Sequence, residues 1–185
     1  MVSGFDTDEG KSLITVNLAI SMAKDTRQTT LLVDIDFRKP TIHKLFGLEN
    51  DINGLKDYFE SDIGLEEIFI NPGIDKLTIL PAGGKIVDAP EVIGSPKMEA
   101  LVKELKGRYP DRYIVFDSPG LNVCPDPLVF LQYIDTILLI ARSNHTSIES
   151  VKHVIDIVPK EKLLGLVLND YTYFEPKALY YHYKK

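Results

Sequence analysis

The sequence contains no tryptophan, a single cysteine and no long apolar run. With Cys124 alone, no internal disulfide can form, which favours a reducing, cytoplasmic setting. The best apolar run, residues 137–141, has the length of a strand and falls far short of the ~20 residues that a membrane-spanning helix needs. The sequence therefore predicts a chain that does not itself cross a membrane.

An excess of basic residues is also lacking. The chain of 185 residues has 21 Lys and Arg against 27 Asp and Glu, for a net charge of −6. It has no whole-surface basic footprint of the kind that binds nucleic acid, so we expect no nucleic-acid partner. Its 44% hydrophobic and 26% charged residues are typical of a globular chain, and its length suits one domain.

Apolar strand-like runs alternate with segments of helical periodicity along the sequence. The strand-like runs are apolar on both faces, as expected for a parallel sheet covered by helices on both sides. We therefore predict a doubly wound α/β domain over residues 1–170 and a tail over residues 171–185. Because the chain opens at the end of a strand, we also expect it to be a fragment or a shortened relative of something longer. The predicted strands are 2–3, 30–33, 77–80, 113–116, 136–141 and 163–168, and the main predicted helices are 11–24, 95–108, 126–132 and 147–158.

The most informative segment is residues 4–12, Gly-Phe-Asp-Thr-Asp-Glu-Gly-Lys-Ser, between a predicted strand and a predicted helix. A loop that runs into a helix N-terminus offers several free N–H groups and the positive end of the helix dipole to a phosphate. Lys11 can reach the outer phosphates, and Ser12 offers a hydroxyl to Mg²⁺. The match to G-x-x-x-x-G-K-[ST] is imperfect, because Phe5 holds the first glycine position and Gly4 comes one residue early.

Three aspartates follow two of the predicted strands. Asp34 and Asp36 come after residues 30–33, and a period of two puts them on the same side. Asp117 follows residues 113–116. The carboxyl ends of parallel strands border the ligand crevice, where the loop of residues 4–12 also emerges. Carboxylates suit Mg²⁺, and a spare one can accept a proton from an attacking hydroxyl, so the sequence predicts a site for Mg²⁺ and a nucleotide.

These three motifs resemble those of the bacterial tyrosine kinases of exopolysaccharide and capsule export. That family belongs to the P-loop group that includes the partitioning and division-site ATPases. Residues 4–12, with Glu9 before Gly-Lys-Ser, resemble its Walker A motif. Residues 32–40 resemble its Walker A′ motif, and residues 114–119 its Walker B motif. The resemblance implies a P-loop NTPase fold and ATP-dependent phosphorylation of tyrosines.

The resemblance also implies roles for individual residues, with ATP and Mg²⁺ as cofactors. Lys11 would hold the phosphates, while Ser12, Asp36 and Asp117 would serve Mg²⁺. Asp34 would accept the proton of the incoming phenol, with Asp36 assisting. For Arg38, pairing with a carboxylate is the alternative to binding phosphate. The residues implied to contact the nucleotide are Asp8, Glu9, Gly10, Lys11, Ser12, Leu13 and Arg38, with Asn169 beside the adenine.

Five of the nine tyrosines fall in the last fifteen residues. The resemblance implies that they are phosphoacceptors, modified in trans. Each phosphate adds a charge of about −1.5 to −2, so several would make the tail repel an acidic neighbour, which suggests control of assembly. The alternatives are an aromatic tail without this role or a strand that adds to a neighbour. The tyrosines are Tyr171, Tyr173, Tyr180, Tyr181 and Tyr183.

The implied partners are a membrane-anchored polysaccharide chain-length regulator, further copies of the chain and a cognate tyrosine phosphatase. The regulator would hold the chain at the inner face of the cell membrane. One alternative is a partitioning-type ATPase, but the lysine that those proteins carry five residues before Lys11 would fall at Asp6 and is missing. Another is a nucleotide-binding scaffold of the export machinery. It stays open because the family usually has Pro-Gly where this chain has Thr7 and Asp8, and commonly a second proline where it has Gly120.

Overall fold

A computed structural model describes residues 1–25, 27–61, 63–108 and 111–172. Its described part contains six strands in one sheet, in the order β3-β2-β4-β1-β5-β6, with every neighbouring pair parallel. The predicted doubly wound α/β fold is confirmed. The strands are β1 (Val2–Gly4), β2 (Thr30–Asp34), β3 (Leu77–Leu80), β4 (Tyr113–Gly120), β5 (Ile137–Arg142) and β6 (Leu163–Asn169). The helices are α1 (Lys11–Asp25), α2 (Ile42–Leu45), α3 (Leu55–Glu60), α4 (Ala89–Ile93), α5 (Pro96–Arg108), α6 (Asp126–Phe130) and α7 (Ile148–Ile157), with 3₁₀ turns at Leu65–Glu67 and Leu131–Tyr133.

Two apolar layers lie on opposite faces of the sheet. On one face, α1 contributes Val16, Ala19 and Ala23 to a buried cluster with residues of the strands. On the other, α5 and α7 contribute buried residues such as Met98 and Val154. None of the helices in the described ranges is long and apolar enough to span a membrane.

Strand β4 is longer than its sequence indicates. The prediction ended it at residue 116, because Pro119 and Gly120 read as a turn, but the strand continues to Gly120. The continuation pairs with the central strand β1, with Val2 opposite Asp117 and Gly4 opposite Gly120. Asp117 therefore lies inside a strand and not after its end, because pairing with β1 overrides the local turn signal.

Strand β6 does not have the two buried faces that the sequence predicted. Leu164, Leu166 and Leu168 are exposed, and the intervening residues are half-buried. In the described part of the chain, β6 is an edge strand that pairs with β5 alone. The apolar run encodes the strand correctly but carries no information on whether a further element covers it.

Candidate functional site

The loop between β1 and α1 borders a cavity of about 440 Å³. The loop and the segment that follows β2 both line this cavity, and of the three predicted carboxylates only Asp36 lies at its wall. Asp34 and Asp117 are buried and do not line it. The lining residues include Asp8, Gly10, Lys11, Ser12, Leu13, Asp36, Arg38, Lys39, Gly120 and Val123. Leu13, one of the residues implied to contact the nucleotide, is 55% exposed.

The early glycine of the loop has a steric reason. A Cβ at Gly4 would overlap the Glu9 carboxylate and lie 2.8 Å from both Lys11 Cδ and the Ile140 carbonyl oxygen. Phe5, at the formal glycine position, is fully buried in the apolar layer that α5 and α7 cover. The loop therefore needs its glycine one residue early and uses Phe5 as an anchor.

Gly10 and Gly120 also let neighbouring groups approach the backbone closely. Gly10 has a φ of +84°, and a Cβ there would overlap the side-chain amide of Asn169. A Cβ at Gly120 would lie 2.6 Å from the Asp6 carbonyl oxygen. The departure from the resembled family at Gly120 thus places a residue without a side chain against the loop backbone.

The Lys11 ammonium is held within its own loop. It donates a hydrogen bond to the Asp6 carbonyl oxygen and lies 3.7 Å from Glu9 Oε2, and the side chain is 11% exposed. An ammonium in this position at the start of a helix is a point charge suited to phosphate oxygens.

Asp34 is fully buried, with both carboxylate oxygens bonded to backbone amides. Oδ1 accepts from the Asp36 N–H at 3.0 Å, and Oδ2 accepts from the Thr41 and Ile42 N–H groups, each at 3.2 Å. Burial raises the pKa of Asp34 well above 3.8, and the nearby Asp117 and Asp36 raise it further. Asp34 therefore ties the turn after β2 to the start of α2 and is a weaker acid than an ordinary carboxyl group.

Asp117 has one bonded and one unbonded carboxylate oxygen. Oδ1 accepts a hydrogen bond from the Thr15 hydroxyl at 2.8 Å, whereas the buried Oδ2 has no hydrogen-bond partner among the described residues. Burial raises the pKa of Asp117 to about 6, although the Ser12 and Thr15 hydroxyls lower it. A buried oxygen without a partner is costly, so this site fits a bound cation or its water.

Arg38 forms an ion pair with Asp126, a residue that the sequence does not single out. Its Nε and Nη2 donate to the two oxygens of Asp126, each at 2.8 Å, and Asp126 is buried. This bidentate pair raises the pKa of Arg38 further. Arg38 still lines the cavity, but two of its donor nitrogens are engaged. The two residues lie 88 positions apart, and no local pattern relates them.

Three residues after β5 also contact the loop, and no motif in the sequence points to the first two of them, Thr146 and Ser150. The Thr146 hydroxyl donates to Glu9 Oε1 at 2.6 Å, and the Ser150 hydroxyl donates to Asp6 Oδ2 at 2.9 Å. Asn169, at the end of β6, donates from its amide to the Glu9 carbonyl oxygen at 2.9 Å. This contact places Asn169 beside the loop, and its role at an adenine remains a prediction.

Asp8 adopts a left-handed backbone conformation, with a φ of 54°, and its carboxylate lies 3.3 Å from the exposed Lys39 ammonium. We expect Asp8→Gly to raise the free energy of unfolding by roughly 1 kcal/mol, because glycine adopts this conformation without strain. It should also strengthen Mg·ATP binding, because a carboxylate beside the phosphate site is removed. Chemical denaturation and calorimetric titration measure the two effects.

Asp8→Asn is the matched control, because asparagine removes the charge but tolerates the left-handed conformation as aspartate does. It should strengthen binding without raising stability. If Asp8→Gly and Asp8→Asn have the same stability, the backbone strain at residue 8 is negligible.

A phosphate loop between a central strand and a helix, with carboxylates from two neighbouring strands beside it, defines a P-loop nucleotide-binding domain. The chain belongs to the CobQ/CobB/MinD/ParA nucleotide-binding domain family, whose model matches residues 1–180. The predicted membership of the P-loop group is confirmed.

Within this family, the chain is similar to tyrosine kinases. It is 29% identical over 171 residues to the tyrosine-protein kinase YwqD of Bacillus subtilis, covering 91% of this chain and 70% of YwqD. It is 30% identical over 173 residues to the succinoglycan biosynthesis transport protein ExoP of Rhizobium meliloti, covering 88% of this chain but only 21% of ExoP. The crystal structure of the VpsO kinase domain superimposes with a TM-score of 0.85 at 30% identity, covering 93% of this chain and 84% of that domain.

Proposed function

We propose that the chain is an ATP-dependent protein-tyrosine kinase domain that acts in polysaccharide export. The observation that carries the proposal is the similarity to YwqD and to the VpsO kinase domain over nine-tenths of the chain. The similarity to ExoP supports polysaccharide transport as the setting.

The site supports ATP and Mg²⁺ as cofactors. Lys11 and the amides at the start of α1 are suited to the phosphates. The Ser12 hydroxyl and the unpartnered Asp117 Oδ2 suit Mg²⁺. Among the described residues, no three His, Cys, Asp or Glu side chains form a metal site on their own. Mg²⁺ would therefore draw its remaining ligands from phosphates and water, as is usual for this ion.

The chain's own tail is the proposed acceptor. Tyr171 is 60% exposed and follows β6, whose last residue, Asn169, is bonded to the loop. The tail thus starts at the edge of the sheet that carries the site. A phenol brought to the cavity would meet Asp36 at its wall. The other proposed acceptors, Tyr173, Tyr180, Tyr181 and Tyr183, lie outside the described residues.

Incubation with Mg·ATP followed by phosphosite mapping by mass spectrometry tests the proposal. We expect phosphate on the tail tyrosines. To test transfer in trans, a chain whose tail tyrosines are replaced by phenylalanine is mixed with a Lys11→Met chain that has an intact tail. Phosphate on the second chain supports transfer in trans.

The same experiment distinguishes the alternatives. ATP turnover without label on protein would support a partitioning-type ATPase, and nucleotide binding without turnover would support a scaffold. The proposed partner is a membrane-anchored chain-length regulator, which would hold the kinase at the inner face of the membrane. The incubation is therefore done with and without the cytoplasmic segment of such a regulator.

Asp34 is buried and does not line the cavity, so it can act as the base only if the turn after β2 opens to the phenol. In that case Asp34→Asn should lower the rate of transfer about a hundredfold with little change in Mg·ATP affinity. The base must be ionised, and its pKa is raised by burial. The wild-type rate should therefore fall on the acid side at a higher pH than an ordinary carboxyl group with a pKa near 3.8 would produce. The pH dependence of single-turnover transfer measures this.

Asp36→Asn is the comparison, because Asp36 lines the cavity and is assigned to the metal and to assistance of the base. It should lower the rate and raise the Mg²⁺ concentration that is needed for half-maximal transfer. If Asp36→Asn abolishes transfer at saturating Mg²⁺ and Asp34→Asn leaves the rate unchanged, Asp36 is the base.

A further inference from the structure

Glu9 is a fully buried carboxylate inside the phosphate loop. Its Oε2 accepts hydrogen bonds from the backbone N–H groups of Phe5, at 2.8 Å, and Asp6, at 3.0 Å. Two donors at the start of the loop are therefore satisfied by the chain itself and not by a ligand. Burying a carboxylate is costly unless its bonds are complete, so the remaining partner of Glu9 matters for the loop.

That partner is Thr146, in the connection between β5 and α7. Its hydroxyl donates to Glu9 Oε1 at 2.6 Å and accepts from the Arg142 N–H at 2.8 Å. A hydroxyl has one proton, so the bond to the backbone N–H of Arg142 leaves that proton for Glu9. Thr146 thus links Arg142, the last residue of β5, to the carboxylate of Glu9 inside the loop.

The competing partner of Glu9 is the lysine of the loop. The Lys11 ammonium lies 3.7 Å from Glu9 Oε2, the oxygen that already accepts two backbone bonds. Without the Thr146 hydroxyl, Glu9 would lose one of its three short bonds, and its strongest available substitute donor is the ammonium. The ammonium, which donates to the Asp6 carbonyl oxygen in this structure, would then be held more tightly at Glu9 and would be less available to phosphate.

We propose that Thr146 is a positioning residue for ATP, which acts through Glu9 to hold the phosphate loop and to leave the Lys11 ammonium available. The inference rests on the proposed function only in requiring that the loop binds ATP. Two further hydrogen bonds hold the loop on the same side. Arg142 Nη1 donates to the Asp8 carbonyl oxygen at 3.1 Å, and the Ser150 hydroxyl donates to Asp6 Oδ2.

The test compares three variants of the full chain. Thr146→Val keeps the shape of the side chain and removes the hydroxyl, and Thr146→Ser retains the hydroxyl. Ser147→Ala is the matched control in the same turn, because the Ser147 hydroxyl accepts from the Ser150 N–H at 3.0 Å and caps α7. It has no described hydrogen bond to the loop, so it tests simple destabilisation of the turn.

The measurements are the affinity for a non-hydrolysable Mg·ATP analogue by calorimetry, and the melting temperature. Thr146→Val should weaken affinity about tenfold, the size expected for a hydrogen bond to a charged group, and Thr146→Ser should restore it to within about twofold. Ser147→Ala should lower the melting temperature without changing affinity.

Equal affinity losses in Thr146→Val and Ser147→Ala would overturn the proposal, as would failure of Thr146→Ser to restore binding. Binding of the analogue does not depend on an acceptor. Wild-type protein that binds the analogue but labels no tyrosine would therefore contradict the proposed kinase and leave the test of Thr146 valid. Wild-type protein that does not bind the analogue would contradict both.

Discussion

Lys11→Met should reduce phosphoryl transfer from Mg·ATP about a thousandfold, with the fold retained. The ammonium is the one cation within the described loop, and it lies at the start of α1, where charge on the transferred phosphate would be stabilised. Methionine preserves an unbranched side chain of similar length but has no charge and no donor. The initial rate of label transfer from γ-labelled ATP measures the effect.

Lys39→Met is the matched control. Lys39 also lines the cavity, but it is exposed and pairs with the exposed Asp8 across the mouth, where solvent screens its charge. Its replacement should change the rate by no more than a few-fold. A similar loss in both variants would mean that the cavity responds to total charge and that Lys11 has no special position.

Asp117→Asn should stabilise the ligand-free protein and at the same time strongly reduce Mg²⁺-dependent transfer. Burial raises the pKa of Asp117 from 3.8 to about 6, so its protonated form is favoured in the folded state. The stability from this group is fully present below pH 3.8 and is lost as the pH rises through about 6. Asparagine is neutral at every pH and should therefore raise the free energy of unfolding at pH 7.5 by about 2 kcal/mol.

Denaturant unfolding in EDTA at pH 4.5 and 7.5 measures this change, which should be much smaller at the lower pH. Asp126→Asn is the control, because Asp126 is equally buried but is bonded to the Arg38 guanidinium. Removing its charge should destabilise the protein at pH 7.5. If Asp117→Asn also destabilises at pH 7.5, the unpartnered carboxylate is not a source of strain.

The loss of activity in Asp117→Asn has a separate cause. An amide oxygen is a weaker ligand for Mg²⁺ than a carboxylate. The bound Mg²⁺ would neutralise negative charge on the phosphates, so weaker metal binding would slow transfer. We expect transfer to fall about a thousandfold at saturating ATP, with partial recovery on raising Mg²⁺. Unchanged transfer would remove Asp117 from the metal site.

The phosphate loop and the elements around it follow from local sequence. Gly-Lys-Ser before an apolar-periodic segment predicts the start of α1 at Lys11, and the apolar run of residues 77–80 matches β3 at both ends. Both are short-range signals, since the periodicity of a helix and the apolar character of a strand are carried by neighbouring residues. The sequence by itself therefore determined the class of fold and the place of the loop.

The tertiary structure alone decided how the site is assembled. The extension of β4 past Asp117, the Arg38–Asp126 pair and the Thr146–Glu9 bond join residues about 90 to 140 positions apart in the chain. Each depends on the strand order β3-β2-β4-β1-β5-β6. This order places β1 between β4 and β5, so the segments that follow these two strands lie beside the loop that follows β1. Strand order results from packing of the whole sheet and leaves no mark on any local pattern, so these contacts could not be predicted from the residues that make them.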